Sequence, residues 1–480
     1  MDDTTPSRDL YAGLALSYVP HLIHLADRNP YSPTYGCFDR EYWHYRTLDF
    51  PCGMSQEFVL PFAQLFLKPY PGNKYYQWER MREIAVAGIE FAIKGSHADG
   101  TCDDYFPFEQ AMGALVFSTY ACTEAYQLLG LQNERMAAFF RKRGDHLARV
   151  NETGRLSNHQ AFAALAAHNI FKITGDDKYR RVAEDRVALA LSWQHPEEGW
   201  FQEYEGADPG YHTCTIAFLA KLYQKSKDPA LLPPLIKAVE FAWHFMHPDG
   251  SYGGEYGSRN TYHFYSHGFE VLAAHTEKAG QIADQFLRGV ATDKRYHNDD
   301  DRMCCHLVYD WLQAYDDYHT PRPAPINARP NFLKWMPAAG MAVAKTDRYY
   351  AVANLRKGGV AKAYTEQGCI GSDTGAIGEL DDGTAPRRYK VIVTHLMDQE
   401  HKVTADAANR TFSVEGVFSY RQRKLSSPLK IIIFRIVNLT VSRFFPNLIR
   451  YSTKMPPGAA PHGVNACRLL PHFQHITCHL

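Results

Sequence analysis

The chain has 480 residues, 45% of them hydrophobic and 22% charged, values ordinary for a globular protein of roughly two or three domains. Lys plus Arg equals Asp plus Glu, 52 each, which excludes a global field able to draw in nucleic acid or an anionic membrane surface. Aromatics reach 13%, and Tyr and Trp offer stacking faces with a polar handle that suit a sugar ligand, although composition alone favours a large ring-rich helical core.

The first residues, Met1 to Arg8, are polar and acidic with no apolar h-region, so no signal peptide is expected. The chain as given reads as cytoplasmic, or periplasmic if a leader lies upstream. The longest strongly apolar run, Ile431 to Val441, is broken by Arg435 and Asn438 and is too short to span a bilayer. Ten cysteines are scattered without CxxC spacing, which reads as reduced thiols rather than a disulfide framework or zinc knuckle.

From about Leu10 to Tyr318 apolar residues recur at three- and four-residue spacing. Helices are expected over Tyr75–Ile93, Glu109–Leu129, Asn158–Ile173, Lys178–Trp193, Tyr211–Tyr223, Ala230–Phe245 and His263–Ala279. Turns at Asp99-Gly100, Thr153-Gly154, Glu198-Gly199 and Asp249-Gly250 punctuate them. Six such hairpins, about twelve helices in all, would curl into an (α/α) toroid. Thr320 to Pro330 is Pro-rich and ends the helical pattern. Beyond it, Gly340–Lys345, Arg348–Asn354, Arg388–Thr394 and Arg410–Gly416 are short, β-branched and alternating, the pattern of antiparallel strands. The expected fold is α+β and multidomain: a toroid over 1–320, a linker over 321–333, an antiparallel sheet domain over 334–453 that stands incomplete, and an irregular tail over 454–480.

Three polar pairs stand at one phase of the helical repeat: Asn158-His159, Tyr211-His212 and Tyr262-His263, the last just after Asn260. The first two are 53 residues apart and the second two 51, the length of two helices and a turn. Repeated at one phase, such pairs would collect Asn, Tyr and His on one rim of a toroid. Each also has a bland explanation, since Asn at a helix start is an ordinary N-cap and a lone Tyr or His there is commonly a satisfied rim residue.

The segments Ser157-Asn158-His159-Gln160-Ala161 and Asp208-Pro209-Gly210-Tyr211-His212, together with the order of toroid then sheet, resemble the heparinase II/III-like polysaccharide lyases and their alginate-lyase relatives. The resemblance covers about residues 35 to 420. It implies β-elimination of a uronate-containing glycan, with an acidic polysaccharide or oligosaccharide as partner and no cofactor. Asn158, His159, Tyr211 and His263 are then the catalytic candidates. Asn158 and His159 would donate to the uronate carboxylate and so acidify C5–H, and Tyr211 would move the proton as base or acid. Arg259 is a candidate bidentate clamp for the carboxylate, and His212, Asn260, Tyr262 and His267 are candidates for the rest of the cleft. His263 and His267, four apart, have a spacing that can hold a metal, but no Glu completes the motif, so no metal is expected.

Arg40, Trp43, His44 and Arg46 form an aromatic–basic cluster that either covers the cleft as a stacking platform or anchors the N-terminal region in the core. In the sheet domain the resemblance would place a His-Ala-Asp type turn, yet Gly368 to Gly378 contains no histidine, and His395 and His401 are the nearest. A non-catalytic glycan-binding or polysaccharide-assembly protein is therefore the first alternative. Another toroid enzyme such as a glycoside hydrolase is the second, although no pair of carboxylates stands out among Glu109, Asp208 and Glu255. The sugar, its linkage and the oligomeric state are not legible.

Overall fold

The computed structural model describes residues 6–152, 154–297, 300–381, 389–397, 401–420, 427–442 and 472–479. The helical part comprises α1 (Asp9–Leu25), the short α2 (Arg40–Trp43), α3 (Val59–Leu67), α4 (Glu79–Lys94), α5 (Met112–Leu128), α6 (Glu134–Arg149) and α7 (Ser157–Thr174). It continues with α8 (Asp177–Ser192), α9 (Pro209–Ser226), α10 (Leu232–His244), α11 (His267–Leu272), α12 (Glu277–Ala291) and α13 (Cys304–Asp316).

Two kinds of helix alternate, and the difference is legible residue by residue. In α5 every residue from Ala114 to Tyr126 is buried, and α7 is buried without a break from Gln160 to Ala167. Helices apolar on all sides belong inside. By contrast α6 and α8 bury one stripe, such as Met136, Phe139, Phe140, Arg143 and Leu147 in α6. The buried helices α3, α5, α7, α9, α11 and α13 pack each on the next, and α13 packs back on α3. The helices α1, α4, α6, α8, α10 and α12 lie outside this closed ring, α12 being buried without a break from Ile282 to Leu287. The first part is thus an (α/α) toroid of six hairpins.

Because each outer helix precedes its inner partner, the connecting loops before α3, α5, α7, α9, α11 and α13 meet at the end of the ring where the inner helices begin. Below that end, Lys221 of α9 and Asp310 of α13 form a buried ion pair at 2.8 Å. Asp310 also accepts from the backbone N–H groups of Ser266 and His267, at 2.6 and 3.0 Å. The helix expected over His263–Ala279 is therefore interrupted. Asp310 draws the start of α11 to His267, and a turn at Ala273–His275 separates it from α12.

A small hairpin, β1 (Gln202–Glu203) and β2 (Gly206–Ala207), lies in the loop before α9. The sheet domain begins with five antiparallel strands in sequential order: β3 (Phe332–Met336), β4 (Met341–Lys345), β5 (Tyr350–Asn354), β6 (Val360–Thr365) and β7 (Gly368–Asp373). Strands β8 (Ile377–Asp381), β9 (Tyr389–Val393) and β12 (Ser419–Tyr420) form a second sheet, while β10 (Lys402–Asp406), β11 (Thr411–Val417) and β13 (His472–His479) form a third. Alternation along β4 and β5 splits their faces. Met341, Val343, Tyr350 and Val352 join the core of the toroid, whereas Ala342, Ala344, Ala351 and Ala353 pack under Phe412 and Val414 of the third sheet. Among the described residues the sheets do not close into a sandwich, and the fold is α+β with an antiparallel sheet domain.

Two features depart from expectation. Part of the segment expected to be irregular, His472–His479, is a strand that pairs antiparallel with β11, because the edge of β11 offers a ladder that local alternation did not reveal. The apolar run near Ile431 forms α14 (Pro428–Val437), with Ile431, Ile432, Ile433 and Phe434 exposed. Among the described residues no helix is long and apolar enough to cross a membrane.

Candidate functional site

One buried carboxylate organises the site. Asp208 caps α9, its Oδ1 accepting from the backbone N–H of Tyr211 at 3.0 Å. Its Oδ2 accepts from the backbone N–H of Arg259 at 2.7 Å, and the Thr261 hydroxyl donates to Oδ1. The loop before α11 is thereby tied to the first turn of α9. The fit requires glycine: a Cβ on Gly257 would lie 2.5 Å from Asp208 Oδ2. The result brings Tyr211 and Arg259 into one electrostatic neighbourhood.

Tyr211 sits half-buried with its ring edge-on to His263, centroids 5.7 Å apart. Burial raises its hydroxyl pKa well above the ordinary value, against the lowering pull of the Arg259 guanidinium. The phenol is protonated at neutral pH. Burial likewise pulls the His263 imidazole down to about 4, helped by His306, so this ring is neutral. Arg259 lies 3.9 Å over the Tyr204 ring and has no ion-pair partner among the described residues.

Asn158 and His159 begin α7, as the repeat phase implied, but face different surroundings. Asn158 is buried, and its backbone N–H and side-chain Nδ2 donate to Glu203 Oε1 and Oε2 at 3.0 and 2.7 Å. Glu203, on β1, is fully buried. Burial pushes its carboxyl up to about 8 in spite of both bonds from Asn158. His159 stays half-exposed at the rim, with its Nδ1 2.5 Å from Glu152 Oε2 and its ring edge-on to Phe117. A carboxylate on Nδ1 orients the imidazole and leaves Nε2 outside that contact.

Tyr262 stacks on Tyr296 at 5.2 Å, and its hydroxyl accepts from Lys362 Nζ at 2.9 Å. Lys362 also pairs with Glu255 at 2.5 Å. Asn260 adopts a left-handed backbone, φ 57°, and its side-chain oxygen accepts from Lys357 Nζ. Both lysines come from the sheet domain.

Several expected cleft residues are placed elsewhere. His212 points into the core, where Nε2 lies 2.9 Å from Ala238 O and Nδ1 accepts from the Phe201 N–H at 3.3 Å. It follows Tyr211 by one position and so turns about a hundred degrees away around the helix. His267 is buried against Asp317, at the far end of α13, at 2.6 Å. It does not share a helix face with His263, which precedes α11. Among the described residues no group of three or more His, Cys, Asp or Glu is placed to hold a metal. In the N-terminal cluster Trp43 Nε1 donates to Leu25 O at 2.8 Å and packs on His44, and Arg40 lies over Tyr45. Arg46 is exposed with φ 55°. No hydrogen bond, ion pair or ring contact among the described residues joins Arg40, Trp43, His44 or Arg46 to Tyr211, Arg259 or His159.

In sequence alone Glu203 is marked only as one charge in a loop. The missed signal is the short hairpin Gln202 to Ala207, in which alternation turns Glu203 inward while Gln202 faces out. His306, in the first turn of α13, carries no distinguishing local pattern either. It is buried, with Nδ1 2.5 Å from the buried Glu57 carboxyl. Burial drives both toward their neutral forms, His306 down to about 3 and Glu57 well up.

No protein-family model matches the chain, and no curated protein matches it by sequence. By structure it is similar to unsaturated glucuronyl hydrolase from Streptococcus agalactiae, at 12% identity and TM-score 0.43, over 65% of this chain and 92% of that one. A Paenibacillus xanthan lyase is similar at 10% identity and TM-score 0.49, over 86% of this chain and 44% of that one. A D-mannose isomerase is similar at 14% identity and TM-score 0.43, over 64% and 97% of the two chains.

Proposed function

We propose that the end of the toroid where the inner helices begin carries out β-elimination on a uronate-containing glycan. The observation that carries the reading is the opposite preparation of two groups at neighbouring inner-helix starts. Tyr211 is held protonated by burial, and His159 is held by Glu152 on Nδ1 with Nε2 left to act. Arg259, with no carboxylate partner among the described residues, is the charge that would receive the substrate carboxylate. In this scheme His159 Nε2 takes the proton from C5, acidified by the neutralised carboxylate. The electron pair forms the C4–C5 double bond, the C4–O4 bond breaks, and Tyr211 gives its proton to the departing oxygen. Asn158 has a supporting part: its side-chain amide is bound to Glu203 rather than presented to substrate. His263 forms a neutral wall beside Tyr211, and Tyr262 with Tyr296 supplies a stacking face for a sugar ring.

This scheme agrees in reaction class with the heparinase II/III-like resemblance, and its test is product chemistry. Purified protein is incubated with a panel of uronate polysaccharides, and ultraviolet absorbance of unsaturated uronate is followed beside new reducing ends. Both should rise together. Reducing ends without the absorbance would identify a hydrolase, and binding of acidic glycans without either product would identify a non-catalytic binder.

A further inference from the structure

We propose that Lys357, supplied by the sheet domain, is a positioning residue that sets Arg259 in the toroid cleft. The inference rests on the reading of Arg259 as the carboxylate clamp. An ammonium group has three protons to place, and burying it is costly unless all are met. Lys357 is buried, and all three go to a single short loop: Glu255 O and Gly257 O at 2.5 Å each, and the side-chain oxygen of Asn260. Arg259 lies inside that span.

The clamp is itself braced. The Lys357 N–H donates to Asn354 Oδ1 at 3.1 Å, and Asn354 Nδ2 reaches the same loop, donating to Tyr256 O at 2.7 Å. Gly358 follows in a left-handed conformation, φ 69°, where a Cβ would lie 2.2 Å from Thr394 O, so the turn bearing Lys357 is seated closely on its own domain. From the other side, Asp208 holds the Arg259 N–H and the Thr261 hydroxyl. Arg259 is thus fixed between one anchor from the toroid and one from the sheet domain. A lysine serving stability alone would have no reason to spend every donor on the segment that carries the clamp.

The test compares Lys357→Met, Arg259→Ala and the double variant for KM and kcat on one responsive uronate polysaccharide, with amide hydrogen exchange of residues 254–261. Removing a charge-assisted anchor should raise KM about ten-fold in Lys357→Met and add little in the Arg259→Ala background, the non-additivity expected of residues acting through one another. Exchange in the loop should quicken while β4 and β5 stay protected. An unchanged KM, or an equal loss with and without Arg259, would overturn the proposal. Should Lys357→Met fold poorly, Asn260→Ala removes one of the three acceptors at an exposed position and should shift KM in the same direction; no shift overturns the proposal. If the wild-type protein neither binds nor cleaves any uronate glycan, the functional reading fails on its own. Loop exchange then decides for Lys357, with faster exchange supporting the anchor and unchanged exchange refuting it.

Discussion

Asn158 gives both its backbone N–H and its side-chain amide to Glu203, at 3.0 and 2.7 Å, in a pocket closed to solvent. Two donors favour the charged carboxylate, yet burial outweighs them and holds the carboxyl near 8. The pair is a joint between the start of α7 and the hairpin before α9. Its strength depends on a proton.

That proton sets a pH dependence of known sign. The folded pKa of Glu203 lies near 8 and its ordinary value is 4.5, so the native state keeps a proton that the unfolded chain releases. The contribution is fully present below about pH 4.5 and is lost as pH rises through about 8. Between about pH 5 and about pH 9 the melting temperature of the wild type should fall more than that of Glu203→Gln, which mimics the protonated form. Parallel melting curves for the two proteins across this range would refute the assignment.

Arg259→Ala should weaken binding of acidic glycans while leaving neutral ones unaffected. A bidentate guanidinium–carboxylate contact is worth about 1.5–3 kcal/mol, so the loss should be on the order of ten- to a hundred-fold in Kd. Titration calorimetry against an acidic oligosaccharide and its carboxyl-reduced counterpart makes the comparison. Equal losses on both ligands would place Arg259 outside the carboxylate subsite.

His212 separates structural from chemical roles. Both ring nitrogens are engaged by backbone groups in the core between α9 and α10. His212→Ala removes a packed ring and strands those partners, so stability should drop by about 2–4 kcal/mol. The turnover of the protein that remains folded should stay within about two-fold of wild type. Denaturant unfolding and activity at low temperature measure the two effects separately.

The toroid was legible because apolar residues recur at three- and four-residue spacing in helix after helix, and consecutive hairpins of that length curl into a ring. The repeat phase of Asn158 and Tyr211 falls in the first turns of α7 and α9, whereas Tyr262 lies in the loop before α11. The phase could not tell which neighbour in each pair faces inward. His212 differs from Tyr211 by one helical step, and that step is the difference between core and rim. The reach of Lys357 and Lys362 across domains was illegible for another reason: the contacts join residues about a hundred positions apart, and no local pattern encodes them. Glu203 was hidden by its shortness, since a two-residue strand carries too little alternation to announce an inward side chain.

The central claim is that Tyr211 moves a proton. Tyr211→Phe keeps the ring and its contact with His263 but removes the only hydroxyl the scheme uses. Losing a positioned acid costs on the order of 10² to 10⁴ in rate. The decisive measurement is kcat and glycan affinity for wild type and Tyr211→Phe on one responsive uronate polysaccharide. The account predicts a kcat reduced by that factor, with affinity nearly unchanged. Retention of more than about a tenth of wild-type turnover would contradict it and make Tyr211 a wall residue.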